Sequence, residues 1–130
     1  MLWFMGAVLG FSSVLMGAYA DHGLSQQLTP AQSESIATAL RYNQLYAVLI
    51  VCIGLIQTNG GALAQCRMLK VSGWLFVAGT LLFCSGIYLS ILLSQHAVVY
   101  LTPVGGVLLM IAWLSLAVTG YLCSPKHLRD

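Results

Sequence analysis

The chain has 130 residues, 59% of them hydrophobic and only 6% charged, with a formal charge of +2. An ordinary soluble domain carries about 25% charged residues, so this composition excludes a water-soluble catalytic domain. The positive balance is too small for a nucleic-acid binder, and its basic residues form no stripe.

Four apolar stretches carry the pattern: Leu2–Tyr19, Leu45–Ile56, Val71–Leu93 and Val104–Leu122. None contains an acid, an Arg or a Lys. A bilayer core about 30 Å thick needs roughly 20 helical residues to cross it. Continuous apolarity fits helices, whereas a membrane barrel alternates with period two. The expectation is an all-α membrane protein: one domain, 1–130, forming a four-transmembrane-helix bundle. The helices are expected over approximately 2–19, 30–57, 71–94 and 103–122.

Helix one ends in Ala18-Tyr19-Ala20 before Asp21, which has the small-x-small form of a signal cleavage site. No Lys or Arg precedes the run, so it reads as the first membrane helix. Gly6, Gly10, Ser13 and Gly17 form a stripe of small residues along it.

Helix two has a defined start. Thr29 is the expected N-cap, Pro30 sits at the first helical position, and Gln32 can close a capping box. Nothing breaks a helix from Pro30 to Gln57, a length of about 42 Å at 1.5 Å per residue. That exceeds the hydrocarbon thickness, so helix two is expected to extend beyond the membrane. Ile36, Ala37 and Leu40 share one face of the extension, and Glu34, Thr38 and Arg41 lie on another. Asn59-Gly60-Gly61 ends the helix.

On helix three, Ser72, Gly79 and Gly86 recur every seven residues; on helix four, Gly105, Ala112 and Thr119 do the same. Close backbone approach is the expected use of these stripes, because lipid offers little hydrophobic drive between helices. Thr102 and Pro103 are the expected cap and first residue of helix four. Four cysteines, Cys52, Cys66, Cys84 and Cys123, form no CxxC pair and read as small apolar fillers with free thiols.

Basic residues set orientation. Arg67, Lys70, Lys126 and Arg129 fall on one side and Arg41 on the other. This predicts both termini and the middle connection in the cytoplasm of a bacterial inner membrane. The connections around residues 20–44 and 94–102 then face outward.

Polar residues crowd that outer boundary. Asp21, His22, Arg41, Asn43, Tyr46 and Thr102 are the candidate lining of a small outward-facing polar pocket. An Arg at this depth needs a partner or a path to the surface, and the expected partners of Arg41 are Asp21 and the carbonyls of Ala18–His22. His22, His96 and Asp21 show no HxxxH or HxxE spacing, so no metal and no cofactor is expected. Trp3, Trp74, Tyr19, Tyr100 and Tyr121 suit interfacial anchoring. Tyr46, Tyr88 and Trp113 lie deeper and should bond a neighbour through OH or NH.

Three blocks occur together: Gly17-Ala18-Tyr19-Ala20-Asp21-His22-Gly23-Leu24, Arg41-Tyr42-Asn43-Gln44-Leu45-Tyr46-Ala47, and Thr102-Pro103-Val104-Gly105-Gly106 followed by Trp113. Leu82-Phe83-Cys84-Ser85-Gly86-Ile87-Tyr88-Leu89 supports them. The pattern resembles the small inner-membrane family catalogued as domain of unknown function 423, which includes bacterial YgdD-like and animal transmembrane protein 256-like proteins. The resemblance covers nearly the whole chain and implies fold and location without an activity. It also implies an Ala-like residue where Asp21 stands, a Tyr-His pair at Leu45-Tyr46, and Ser-Gly-Ser at Cys84-Ser85-Gly86. Tyr46 keeps hydrogen bonding at the second His position but cannot titrate near neutral pH.

The reading is a non-enzymatic membrane module that packs with itself, with lipid or with a membrane-protein partner. Its alternative is a small transporter or channel using the outward-facing pocket. Four-helix multidrug exporters are of similar size, but they carry a membrane-embedded Glu in the first helix; here no acid precedes Asp21. An enzyme with His22 as base and Asp21 as orienter has no nucleophile or oxyanion donor to complete it.

Overall fold

The computed structural model describes residues 1–61, 63–93 and 100–123. Four helices make up nearly all of it: α1 (Leu2–Tyr19), α2 (Pro30–Thr58), α3 (Arg67–Leu92) and α4 (Leu101–Leu122). A single π turn, Ala20–Leu24, prolongs α1. All four helices are long and apolar enough to cross a membrane. Among the described residues there is no strand.

The start of α2 follows from its first four residues. The Thr29 amide donates to Gln32 Oε1 at 2.9 Å, and the Gln32 amide donates to Thr29 Oγ1 at 3.3 Å. Pro30 follows the cap, where its missing N–H costs nothing. The helix then runs 29 residues, about 43 Å, to Asn59. There Gly60 takes φ +70°, the left-handed conformation that ends a helix without steric penalty for glycine. The extension keeps its apolar side down: Ile36 and Ala39 are buried, while Ser33, Glu34 and Ser35 are exposed.

Two helix starts differ from the sequence expectation. α3 begins at Arg67, with Cys66 at its N-cap. Arg67 and Lys70 therefore ride on its first turn instead of in a loop; nothing in Arg67-Met68-Leu69-Lys70 breaks a helix, only apolarity does. α4 begins at Leu101 with Tyr100 at the cap. Thr102 is thus inside the first turn and does not cap it; its side chain lies against α3 at Gly86.

Consecutive helices pack antiparallel, α1 on α2, α2 on α3, and α3 on α4. α2 and α3 occupy the middle, and α1 and α4 expose most of their surface. The core runs through Leu2, Leu9, Ala47, Ile50, Ile53, Phe76, Val77 and Leu109. Small residues let backbones meet. A Cβ on Gly6 would lie 2.8 Å from the Ala47 carbonyl oxygen, and one on Gly79 would lie 2.9 Å from Leu109. Gly105 sits on the Phe83 backbone and the Gly79 carbonyl. Gly10 and Gly17 are different: their nearest neighbours, Ala47 and Leu40, lie at 3.7 and 3.9 Å, ordinary contacts. The glycine stripe of α1 is tight only at its start, so α1 and α2 diverge toward Tyr19. Gly54 against the Trp3 backbone and Gly73 against Leu2 are close approaches that the stripe pattern did not single out.

The antiparallel α3–α4 pair also brings Cys66, at the start of α3, to Cys123, at the end of α4. Their Cα atoms are 6.5 Å apart and the two form a disulfide. The free-thiol reading holds for Cys52 and Cys84 and fails for this pair. Residue spacing alone does not reveal which helix ends adjoin.

Candidate functional site: a polar cleft at membrane depth

The six polar residues singled out by sequence do not assemble into one outward-facing pocket. On α2 the buried positions are Ile36, Ala39, Asn43, Tyr46, Ala47, Ile50, Ile53 and Gly54, the 3–4 spacing of one helix face. Arg41 falls off that face and is exposed, beside Thr38, Tyr42 and Leu45. Among the described residues no ion pair or hydrogen bond joins it to Asp21 or to the carbonyls at the end of α1. Asp21 and His22 are exposed on the π turn, where Ala20 takes the buried position. His96 lies outside the described residues, so the His22–His96–Asp21 grouping does too. Tyr19, Gln27 and Gln32 line a separate hollow of about 340 Å³ at this end.

Asn43 and Tyr46 turn inward instead, and each joins a different contact. Tyr46 accepts a hydrogen bond from the Trp113 indole at 3.3 Å, linking α2 to α4. Its ring stacks on Phe76 at 5.5 Å, and Phe76 meets Trp113 edge-on at 5.3 Å. Buried aromatic pairs prefer these offset and edge geometries. The expected partner bond therefore exists for Tyr46 and Trp113. Tyr88, by contrast, has none.

Asn43 is 2% exposed. Its amide nitrogen donates to Ser12 Oγ on α1 at 3.4 Å. Its oxygen has no partner, and neither has the hydroxyl of the buried Tyr88. The two groups border a cavity of about 160 Å³ between α1, α2 and α3, together with Ser12, Thr80, Cys84 and Ser85. Thr80, Cys84 and Tyr88 follow one another at four-residue spacing, so α3 presents them on one face. That spacing was the available sequence signal for this site.

Outside this cleft the buried Thr102 hydroxyl and the Gln57 amide nitrogen also lack a partner, while the other polar groups around it are satisfied. Ser12 and Thr80 hydroxyls donate to the Leu9 and Phe76 carbonyls of their own helices, and Ser85 donates to the Leu81 carbonyl. The Cys84 thiol donates across to the Ala39 carbonyl of α2 at 3.4 Å. Ser72 and Ser115 share a bond of 2.8 Å between α3 and α4. Chemically, the cleft offers neutral donors and acceptors. Among the described residues no cluster of three metal-ligating side chains occurs.

Comparison with known proteins agrees with this architecture. Residues 16–106 match the model of a family described as protein of unknown function (DUF423). A UPF0382 membrane protein of Haemophilus influenzae is 34% identical over 111 residues, 85% of this chain and 86% of that protein. The UPF0382 membrane protein YwdK of Bacillus subtilis is 25% identical, covering 88% and 90% of the two chains. A fission yeast relative, UPF0382 membrane protein C1782.12c, is 28% identical over 90% of this chain and 98% of its own. No solved structure matches the chain. With most of its length inside the family model and its four apolar helices in place, the chain is a membrane protein and belongs to the DUF423 family.

Proposed function

We propose that this protein is a non-enzymatic module of the bacterial inner membrane with lipid as its constant partner. The observation that supports this reading is the direction of its polar side chains. At membrane depth they tie helix to helix, Asn43 to Ser12, Tyr46 to Trp113 and Ser72 to Ser115. The flanks of α1 and α4 remain apolar and exposed, with Phe11, Val14, Val107 and Leu114 pointing outward. This is the surface that lipid, a second copy or another membrane protein would meet. The transporter reading needs Asp21, His22 and Arg41 in one pocket with Asn43, Tyr46 and Thr102, whereas Asp21 and His22 are exposed on the π turn and Arg41 is exposed off the buried face of α2.

In the proposed orientation both termini and the α2–α3 connection are cytoplasmic. Support comes from Arg67 and Lys70 at the start of α3 and Lys126 and Arg129 after α4, against Arg41 alone near the other end. Cys66 and Cys123 then lie on the reducing side of the membrane, where the disulfide that joins them in the structure would ordinarily be opened to two thiols.

Flux measurements on proteoliposomes test the module reading. Proton, alkali-cation and small-solute flux should equal that of protein-free vesicles. Flux that depends on the protein would overturn it in favour of transport.

A further inference from the structure

We infer that the cleft between α1, α2 and α3 binds an uncharged, hydroxyl-bearing lipid headgroup that enters sideways from the bilayer. The inference rests on the reading of lipid as this module's partner. Two buried polar groups carry it. Asn43 is 2% and Tyr88 9% exposed, and the Asn43 Oδ1 and Tyr88 hydroxyl both lack a partner. In hydrocarbon no water compensates such groups, so leaving them empty is costly. They are neighbours across the same space, close enough for the Asn43 amide to act on the Tyr88 hydroxyl, yet not in hydrogen-bond geometry.

The remaining lining defines what fits. Ser12, Thr80 and Ser85 give their protons to their own helices, so toward the cleft they present acceptor lone pairs only. Cys84 gives its proton to Ala39. The cleft therefore holds several acceptors, few donors (the Tyr88 hydroxyl and the second N–H of the Asn43 amide) and no charged side chain. A carboxylate or phosphate would find at most two neutral donors and no cation. A hydroxyl both donates and accepts, so one such group can bridge Asn43 Oδ1 and the Tyr88 OH.

Size and access complete the argument. About 160 Å³ exceeds several times the roughly 30 Å³ share of one water, enough for a glycerol-sized head but not a large one. Among the lining residues Leu81 is 44% exposed and Met16 and Ser85 are half-buried, so the cleft is open beside them. Acyl chains would stay in the bilayer while the hydroxyl reaches inward. Diacylglycerol has this chemistry.

The test uses the full-length protein in nanodiscs and a fluorescent diacylglycerol, its hydroxyl-acetylated analogue, and free glycerol as competitor. The free hydroxyl should bind at least tenfold more tightly than the acetylated form. Tyr88→Phe removes only one oxygen, which is not in hydrogen-bond geometry with any neighbour, and should abolish the discrimination without lowering thermal stability. Asn43→Leu should do the same for binding. Equal binding of the free and acetylated lipids overturns the inference, and so does discrimination that survives Tyr88→Phe. Displacement by millimolar glycerol alone would assign the cleft to a soluble polyol and overturn the lipid source. Each of these outcomes leaves the flux result unchanged, so failure here is separable from failure of the module reading.

Discussion

Gly86 of α3 and Thr102 of α4 meet with no space for a side chain between them. A methyl group on Gly86 would stand 2.5 Å from the Thr102 hydroxyl and 3.0 Å from its backbone nitrogen. The contact fixes how closely α3 and α4 approach near the Leu92 end, as Gly79 and Gly105 fix it farther along.

Substitution at this contact should therefore cost stability. Gly86→Leu should destabilise by about 1–3 kcal/mol or more, since overpacking forces backbones apart, and thermal unfolding in detergent reads it. Gly120 faces open space, so Gly120→Ala should be neutral or gain up to about 1 kcal/mol from helix propensity. Equal effects at the two sites would refute the packing argument.

The glycine pattern shows what sequence could and could not convey. Seven-residue spacing identified Gly79, Gly86 and Gly105, because a straight helix keeps that face toward its neighbour. It did not distinguish Gly6 from Gly10 and Gly17, because the angle at which α1 leaves α2 is set by packing along the whole interface. The helix-two extension was legible because its start is local chemistry among Thr29, Pro30 and Gln32. The outward pocket does not form for a rotational reason: Arg41 and Asn43 share a level, but only Asn43 shares the buried face. The Cys66–Cys123 pair depends on the end register of α3 and α4, which no spacing encodes.

Arg41 and Asp21 should not be coupled. In a double-mutant cycle with Arg41→Gln and Asp21→Asn, the stability effects should add within about 0.5 kcal/mol. A larger favourable coupling would restore the ion pair that the exposed position of Arg41 denies.

The Tyr46–Trp113 bond should contribute modestly. Tyr46→Phe keeps the ring stack on Phe76 and removes the hydroxyl, so a loss of about 0.6 kcal/mol is expected, typical of bonds between membrane helices. Trp113→Phe combined with it should add little more from hydrogen bonding.

The cysteine pair tests orientation. In growing cells, rapid alkylation should modify both Cys66 and Cys123, because the proposed orientation puts the basic end in a reducing compartment, where their disulfide would be opened. Treatment with a thiol oxidant should protect both from alkylation, and Cys123→Ser should leave Cys66 reactive. A disulfide present in untreated cells would place that end on the oxidising side and reverse the proposed topology.

If the polar groups at membrane depth hold helices and lipid together, they do not line an aqueous path. The most direct measurement of this is water accessibility at position 43. Asn43→Cys is introduced into a chain whose four native cysteines are replaced by serine or alanine, and a membrane-impermeant thiosulfonate is applied to each side in turn. The account predicts no modification from either side, matching the 2% exposure of Asn43. Rapid modification from one side would reveal a water-filled route to the cleft and contradict it.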